Sequence, residues 1–419
     1  MSEMIKIPDG WEEISLDKAC HVLMGQSPDG NTINQSEKGY PFLQGNGEFG
    51  KKYPNEKNWT TNPTRIAEQD SILLSVRAPV GELNIANKDY CIGRGLSSLS
   101  YKNHSLEYLY FAINYNKHQF RNLSQGSTFE AINRKNIEEL NILSPKEEKE
   151  QQKIAEVLSE VDKAISKTEE LFEKNKRLKT ALMQDLLSYG IDKNGKIRNP
   201  LTHKFKPSEL GDIPAEWDSI ELEKLLYRPI AYGVLKPEKH DTNGINLIRI
   251  QDVKDNKISD NLFKVSSKLD VQYSRTKLRE NDLILSLVGT LGKIISISKE
   301  YENSNISRAF GVIGVKHDLY CYRYLKQLLE SDLYQNWIIE NARGNAQKVL
   351  NVGVLKQLRI LIPKSKLEQQ KIAQILSLQD EKIEDIKNKL NKLKSLKASL
   401  MQDLLSGKVR VTKLMEENS

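Results

Sequence analysis

Two stretches of the chain carry an apolar position at alternating four- and three-residue steps. In the second, Ile372, Leu376, Gln379, Ile383, Ile386, Leu390 and Leu393 trace the narrow a/d stripe of a coiled coil. In the first, Ile154, Leu158, Val161, Ile165 and Phe172 hold the same stripe, which passes through Thr168, Asn175 and Lys179 and recovers at Leu182 and Leu186. Neither interior contains Gly or Pro. Pro145 and Pro363 stand just before these stretches and Gly190 and Gly407 just after, the punctuation expected of helices. A helix of about 40 residues spans ~60 Å, and so narrow a stripe needs a partner helix; the nearest candidate is its own copy. The rest of the chain alternates differently. Short β-type runs (Ser71–Val76, Leu283–Val288, Lys293–Ile297) are separated by glycine-bearing turns and helical pieces at Tyr108–Tyr115 and Tyr322–Leu329. This pattern predicts mixed α/β domains with twisted sheets.

The chain also repeats itself. Glu150-Gln151-Gln152-Lys153-Ile154-Ala155 returns 218 residues on as Glu368-Gln369-Gln370-Lys371-Ile372-Ala373, and Leu182-Met183-Gln184-Asp185-Leu186-Leu187-Ser188 returns as Leu400-Met401-Gln402-Asp403-Leu404-Leu405-Ser406. Upstream, Gly126 pairs with Gly344, Ile132 with Leu350, Asn133 with Asn351 and Pro145 with Pro363. Nearer the starts the offset shrinks. Ile7-Pro8 and Trp11 correspond to Ile213-Pro214 and Trp217, and Glu68, Asp70, Ile72 and Leu73 are read against Glu280, Asp282, Ile284 and Leu285. Units this long are a tandem domain duplication, not a solenoid. The predicted organisation is a first α/β domain at 1–145, a spacer helix at 146–190, a basic surface linker at 191–212, a second α/β domain at 213–363, and a second spacer helix with tail at 364–419. Copies related by a pseudo-twofold axis pair their helices antiparallel. The two variable domains then stand at opposite ends of a spacer, a geometry suited to epitopes about one DNA turn (~34–36 Å) apart.

Composition changes this picture little. The 419 residues carry 63 Lys+Arg against 56 Asp+Glu, a net +7 that permits an anionic partner without requiring one. Three cysteines, no apolar run of membrane-spanning length and no signal-peptide pattern at the N-terminus lead to the expectation of a reducing cytoplasm. Signatures of catalysis are missing. No two prolines are adjacent, which excludes the Asn/Asp-Pro-Pro-aromatic loop of an amino-methyltransferase, and Cys and His are too scattered for a metal site or a Ser/His/Asp triad. Gly45-Asn46-Gly47-Glu48-Phe49-Gly50-Lys51 matches Gly-x-Gly-x-x-Gly and the start of a phosphate-binding loop, but Lys52 follows where Ser or Thr would hold magnesium, and Pro54 blocks the helix such a loop needs. The chain is therefore expected to be no catalyst and to hold no cofactor or metal of its own.

The sequences Gln-Gln-Lys-Ile-Ala-x-x-Leu-Ser-x-x-Asp and Leu-Met-Gln-Asp-Leu-Leu-Ser, each present twice, resemble the conserved regions of specificity subunits of type I restriction–modification enzymes. So does the connector from Gly190-Ile191-Asp192-Lys193-Asn194-Gly195 through His203-Lys204-Phe205-Lys206 and Ser208-Glu209-Leu210-Gly211 to Trp217. The resemblance covers essentially the whole chain. It implies a non-catalytic reader of double-stranded DNA, whose two target-recognition domains each read half of a bipartite site. It also implies that the helices set the spacing and dock two modification subunits, which methylate adenine N6, and two restriction subunits. S-adenosylmethionine, ATP and Mg2+ then belong to those partners. A duplicated coiled-coil scaffold bridging two proteins is the alternative from another class.

Base edges and phosphates call for Arg, Lys, Asn, Gln and hydroxyl side chains. Around the shared glycines these are Gln125, Ser127, Thr128 and Arg134 in the first domain, and Arg343, Asn345, Gln347 and Lys348 in the second. Arg77, Arg94, Arg249 and Arg308, beside strands, are further DNA-binding candidates, with surface salt bridges as the competing explanation. Tyr40 and Phe42 are read as core more readily than as stacking platforms. Lys387, Lys389, Lys392 and Lys394 are read as a solvated helix face more readily than as phosphate contacts.

Overall fold

The computed structural model describes residues 7–102, 104–124, 131–237, 239–254, 257–344 and 348–412. It separates into two compact units: Met1–Glu170 with Asn388–Ser419, and Leu171–Lys387. The division cuts both long helices, Glu148–Ser188 and Lys366–Leu405, so each unit contains the start of one helix and the end of the other.

In the first unit, Trp11–Ser15 pairs antiparallel with Asn141–Pro145, Trp11 opposite Pro145. A four-stranded sheet has the order Cys20–Met24, Leu96–Tyr101, Ile72–Ser75, Leu83–Ile85. In a second sheet Tyr40–Leu43 runs parallel to Tyr90–Ile92. The second unit has the same framework. Trp217–Glu221 pairs with Arg359–Pro363, Leu283–Ser286 lies between Ile294–Ser296 and Phe310–Ile313, and Ile245–Ile248 runs parallel to Asn305–Ile306. Ile72–Ser75 and Leu283–Ser286 are buried at every position, which explains their continuous rather than alternating apolar character.

Strand register corrects one expectation. Asp70 and Asn281 share a left-handed φ (61° and 67°), and their amides donate to the carbonyls of Ala86 (2.7 Å) and Ile297 (2.8 Å) respectively. Ile72 therefore corresponds to Leu283, and Asp70 to Asn281, one residue earlier than the sequence pairing of Ile72 with Ile284 and Asp70 with Asp282. The sequence pairing matches Glu68, Asp70, Ile72 and Leu73 residue for residue, whereas the structural register aligns Leu74-Ser75 with Leu285-Ser286; a one-residue slip would turn every side chain to the opposite face of the sheet.

Within each unit the two helix segments run antiparallel. In the first, Asp162 pairs with Lys397 (2.6 Å) and Glu169 with Lys394 (2.9 Å). In the second, the stripe contains a polar layer. Asn175 is buried, and its backbone and side-chain oxygens accept from Gln379 Nε2 at 3.0 and 3.2 Å, while Lys179 pairs with Asp380 at 2.5 Å. A buried polar pair of this kind penalises slippage of the helices.

The repeated motifs are explained by what they touch. Gln151 and Gln369 each donate from Nε2 to the carbonyl of the preceding Pro145 (2.9 Å) or Pro363 (2.8 Å), and each accepts at Oε1 from the backbone of Ser105 or Cys321 (3.0 and 2.8 Å). Leu404 and Leu405 pack with Trp11, Ile154 and Leu158 in the core of the first unit, and Leu186 and Leu187 with Trp217, Ile372 and Leu376 in the second. Glu150 and Glu368, at the helix starts, are buried. Arg410, beyond the end of the second helix, holds Glu150 through Nε (2.6 Å) and Nη2 (2.7 Å). Arg198, beyond the end of the first helix, holds Glu368 through Nη1 (2.5 Å) and Nη2 (3.0 Å), and Trp217 Nε1 donates to the same carboxylate at 3.1 Å. The connector, expected to lie on the surface, thus sends Ile191 and Arg198 into the interior, at 3% and 7% exposed.

Glu368→Ala leaves the Arg198 guanidinium buried without its partner and is expected to destabilise the chain by about 3–5 kcal/mol. Urea unfolding followed by circular dichroism reads this as a lowered midpoint. Glu368→Leu combined with Arg198→Met should recover part of the loss, because neither charge is then stranded while Trp217 Nε1 and the Ile191 amide still lose their acceptor.

Candidate nucleic-acid interface

The central strand of each unit is fully buried, so side chains able to meet a ligand lie beyond its end. In the first unit the pairing that closes at Ser75 opposite Leu96 is prolonged by a bond from Val76 N to Gly95 O (2.9 Å), and Arg77 and Arg94 each stand one residue past it. Ala131 bridges Arg77, and Ile132 N donates to Val76 O at 3.0 Å, so the chain leaving residues 125–130 returns to this strand end. The second unit builds the same junction. Ser286 faces Phe310, Leu287 N donates to Ala309 O (2.7 Å), Leu350 N donates to Leu287 O (2.9 Å), and Val349 bridges Val288. Here Arg343 and Val349 exchange two backbone bonds (3.0 and 2.8 Å), Gly344 takes φ 120° and Lys348 is exposed. Asn133 and Asn351 then cap the next helices, accepting from Asn136 N (3.0 Å) and Gly353 N (2.7 Å).

The structure thus brings Arg77 and Arg94 together at one strand end, and Arg308, Arg343 and Lys348 around its counterpart, all five exposed. It sets two other candidates apart. Arg134 is tied to Glu138 one helical turn on (2.6 Å). Arg249 is held by Asp252 through Nε (3.0 Å) and Nη2 (2.9 Å) and lies over the Phe263 ring at 4.8 Å. Gln125, Ser127 and Thr128, with Gly126, lie outside the described residues, as do Asn345 and Gln347. Phe42, 3% exposed, has no free face for a base, whereas Tyr40 is exposed. Of the helix lysines, Lys394 is engaged by Glu169, whose carboxylate hydrogen bonds to Lys394 and Lys51 hold it below the ordinary range.

Several features beneath the junction were not legible in the sequence. The glycine-rich loop is a single capped turn: Glu48 accepts from Gly45 N at 3.2 Å, and Lys51 pairs with Glu169 (3.1 Å). The second unit forms the same turn without glycine, Asp252 accepting from Arg249 N at 2.9 Å. Beside Arg94, Ser27 and Gln44 hydrogen-bond to each other (3.3 Å). Gly25 and Gly233 lie directly under the arginine turns, where a Cβ would overlap the Gly93 carbonyl oxygen and the Ile306 carbonyl oxygen respectively. At the far end of the second central strand, buried Asp282 accepts from Tyr227 Oη (2.9 Å) and Arg279 N (2.8 Å) and pairs with Arg228. Burial pushes the Asp282 carboxyl above its ordinary range against the pull of Arg228, and burial with the Asp282 charge pushes Tyr227 up to about 12.

Among the described residues no cluster of three or more His, Cys, Asp or Glu side chains could hold a metal ion, and no helix is long and apolar enough to cross a membrane. What the junction offers is cationic side chains on a rigid, hydrogen-bonded strand end, built twice.

The model of the type I restriction modification DNA specificity domain matches residues 8–178 and again 217–395. A Methanocaldococcus jannaschii chain provisionally named the type I restriction enzyme MjaX specificity subunit is 37% identical over 201 residues, 47% of this chain and 46% of that relative's length. The Escherichia coli type I restriction enzyme EcoBI specificity subunit is 24% identical over 97% of this chain and 88% of its own. In fold, the chain is similar to the S subunit of a type I restriction–modification system from M. genitalium, with a TM-score of 0.61 and 17% identity over 97% of this chain and 98% of that one.

Neither Gly25 nor Gly233 has a left-handed φ, so alanine there costs overpacking rather than backbone strain. Gly25→Ala and Gly233→Ala are each expected to destabilise the chain by about 1–3 kcal/mol. Urea unfolding measures this, with Gly30→Ala, which meets nothing within 4 Å, as the neutral control.

Proposed function

The chain belongs to the type I restriction modification DNA specificity family, and from that membership we propose that it is the non-catalytic, DNA-reading subunit of a type I restriction–modification complex. The observation that carries this reading is the duplicated strand-end junction, the same backbone frame in both units carrying different side chains: Arg77 where the other has Val288, and Ala131 where it has Val349. Each junction reads one half of a bipartite double-stranded site through base edges while its cations hold phosphates. The paired helices set the gap between the halves and dock two modification subunits, which methylate adenine N6, and two restriction subunits. S-adenosylmethionine, ATP and Mg2+ are used by those partners. The complex works on DNA in the cytoplasm.

Sequencing N6-methyladenine in a host that lacks its own systems tests this directly. With the neighbouring modification subunit co-expressed, a new motif in two halves with a fixed gap is expected, and none with the modification subunit alone. Adding one helical turn (about four residues) to each long helix should change the gap and leave both half-sequences intact. If the two proteins copurify and no motif appears, the chain is a protein-bridging scaffold instead.

A further inference from the structure

The main-chain hydrogen bonds of the two units match at one further turn, outside the segments that repeat in sequence. Gly93 N donates to Leu43 O (2.8 Å) and Leu96 N to Gly93 O (3.0 Å). Ser307 N donates to Ile248 O (3.0 Å) and Phe310 N to Ser307 O (3.0 Å). Gln26 N reaches Ile92 O (2.9 Å) where Val234 N reaches Ile306 O (2.8 Å). Residues 93–96 and 307–310 are therefore one and the same turn, at the point where the chain leaves the parallel pair for the antiparallel sheet. Its second position is arginine in both copies, Arg94 and Arg308.

Three properties single these arginines out. Both are exposed, and among the described residues neither guanidinium has an ion-pair, hydrogen-bond or ring partner, whereas Arg134 and Arg249 are neutralised locally. Both are flanked by small residues, Gly93 and Gly95 in one copy and Ser307 and Ala309 in the other, so a ligand's backbone can approach the turn closely. The side chains around them differ. The position after the parallel strand is Gln44, bonded to Ser27, in the first unit and Arg249, bonded to Asp252, in the second. An identical cation on an identical pedestal amid different neighbours is suited to the part of the ligand that is the same in both half-sites. In a duplex that part is the phosphate backbone, since bases vary and phosphates do not.

We propose that Arg94 and Arg308 are equivalent phosphate clamps that set the register of each recognition domain on the duplex, leaving sequence discrimination to the positions that differ around them. This rests on the reading of the chain as a DNA specificity subunit. The clamps are positioning residues. Each neutralises one phosphate and contributes equally to cognate and non-cognate binding.

The test uses the full chain with Arg94→Ala, Arg308→Ala, the double variant and Arg94→Lys. The probe is a labelled pool of random-sequence 40-bp duplexes titrated from ~50 to ~200 mM salt. Each alanine is expected to weaken binding about tenfold and to reduce the slope of log K against log salt by about 0.9. The lysine variant should keep most of both, since a point charge suffices for a phosphate. The N6-methyladenine motif written in cells by each variant, with the modification subunit present, should keep every base of the wild-type motif. A folded alanine variant with unchanged affinity and slope overturns the proposal. So does a motif relaxed at one base pair, which would make the arginine a base reader. Both results leave the specificity-subunit reading standing. A wild-type chain with no salt-dependent duplex binding overturns that reading and the clamps with it.

Discussion

Each compact unit is organised around a carboxylate buried at the first turn of one long helix and neutralised by an arginine from beyond the end of the other. Glu150 and Arg410 are 260 residues apart, Glu368 and Arg198 170. An unpaired carboxylate in such a place costs several kcal/mol, so neither helix start can be buried until the opposite helix has been completed. The first unit contains Asn388–Ser419 and is closed by Arg410; its core is finished only when the chain has been made as far as Arg410. The two helices are thus part of the domains' cores, not connectors between finished domains.

The glutamine that follows each glutamate fastens the helix to the strand before it, and the leucines of the repeated Leu-Met-Gln-Asp-Leu-Leu-Ser segments fill the space beside the tryptophans. These contacts account for the close similarity of the two copies in just these segments. The buried residues there, among them Glu150, Gln151, Ile154 and Leu186 with their counterparts, are constrained by a core whose shape both units share; Gln152, Gln184, Gln370 and Gln402 are exposed. The polar layer of Asn175 and Gln379 adds a constraint on helix register that apolar residues alone would not supply.

Away from that shared core the two domains keep their backbone frame and exchange their side chains. The strand-end junction survives because it is held by main-chain hydrogen bonds, Val76 to Gly95 in one copy and Leu287 to Ala309 in the other, which do not depend on side-chain identity. Side chains carried there are free to differ, as Arg77 and Val288 do. A rigid frame with replaceable decoration is the physical requirement for a surface whose specificity changes without loss of the fold.

The helices, their antiparallel partnership, the duplication and the apolar central strands were legible in the sequence, because a periodicity or a repeated run of residues is a local property. The pairing of Asn133 with Asn351 was legible as part of the repeat, but their role as helix caps came from the structure. The burial of Arg198 was not legible, since its partner Glu368 is remote and the connector around it is polar. Nor could the sequence separate Arg94 and Arg308 from Arg134 and Arg249: all four are arginines beside ordered elements, and only the fold shows that Glu138 and Asp252 have already neutralised two of them. The same holds for the one-residue slip that pairs Ile72 with Leu283. Residue identity favoured the pairing of Ile72 with Ile284, while the main-chain hydrogen bonds admit only the pairing with Leu283. The sequence by itself determined the elements and their duplication, because these follow from local periodicity and repetition. The tertiary structure decided which charges are spent within the protein and which remain for a ligand, because that depends on partners brought together only when distant segments meet.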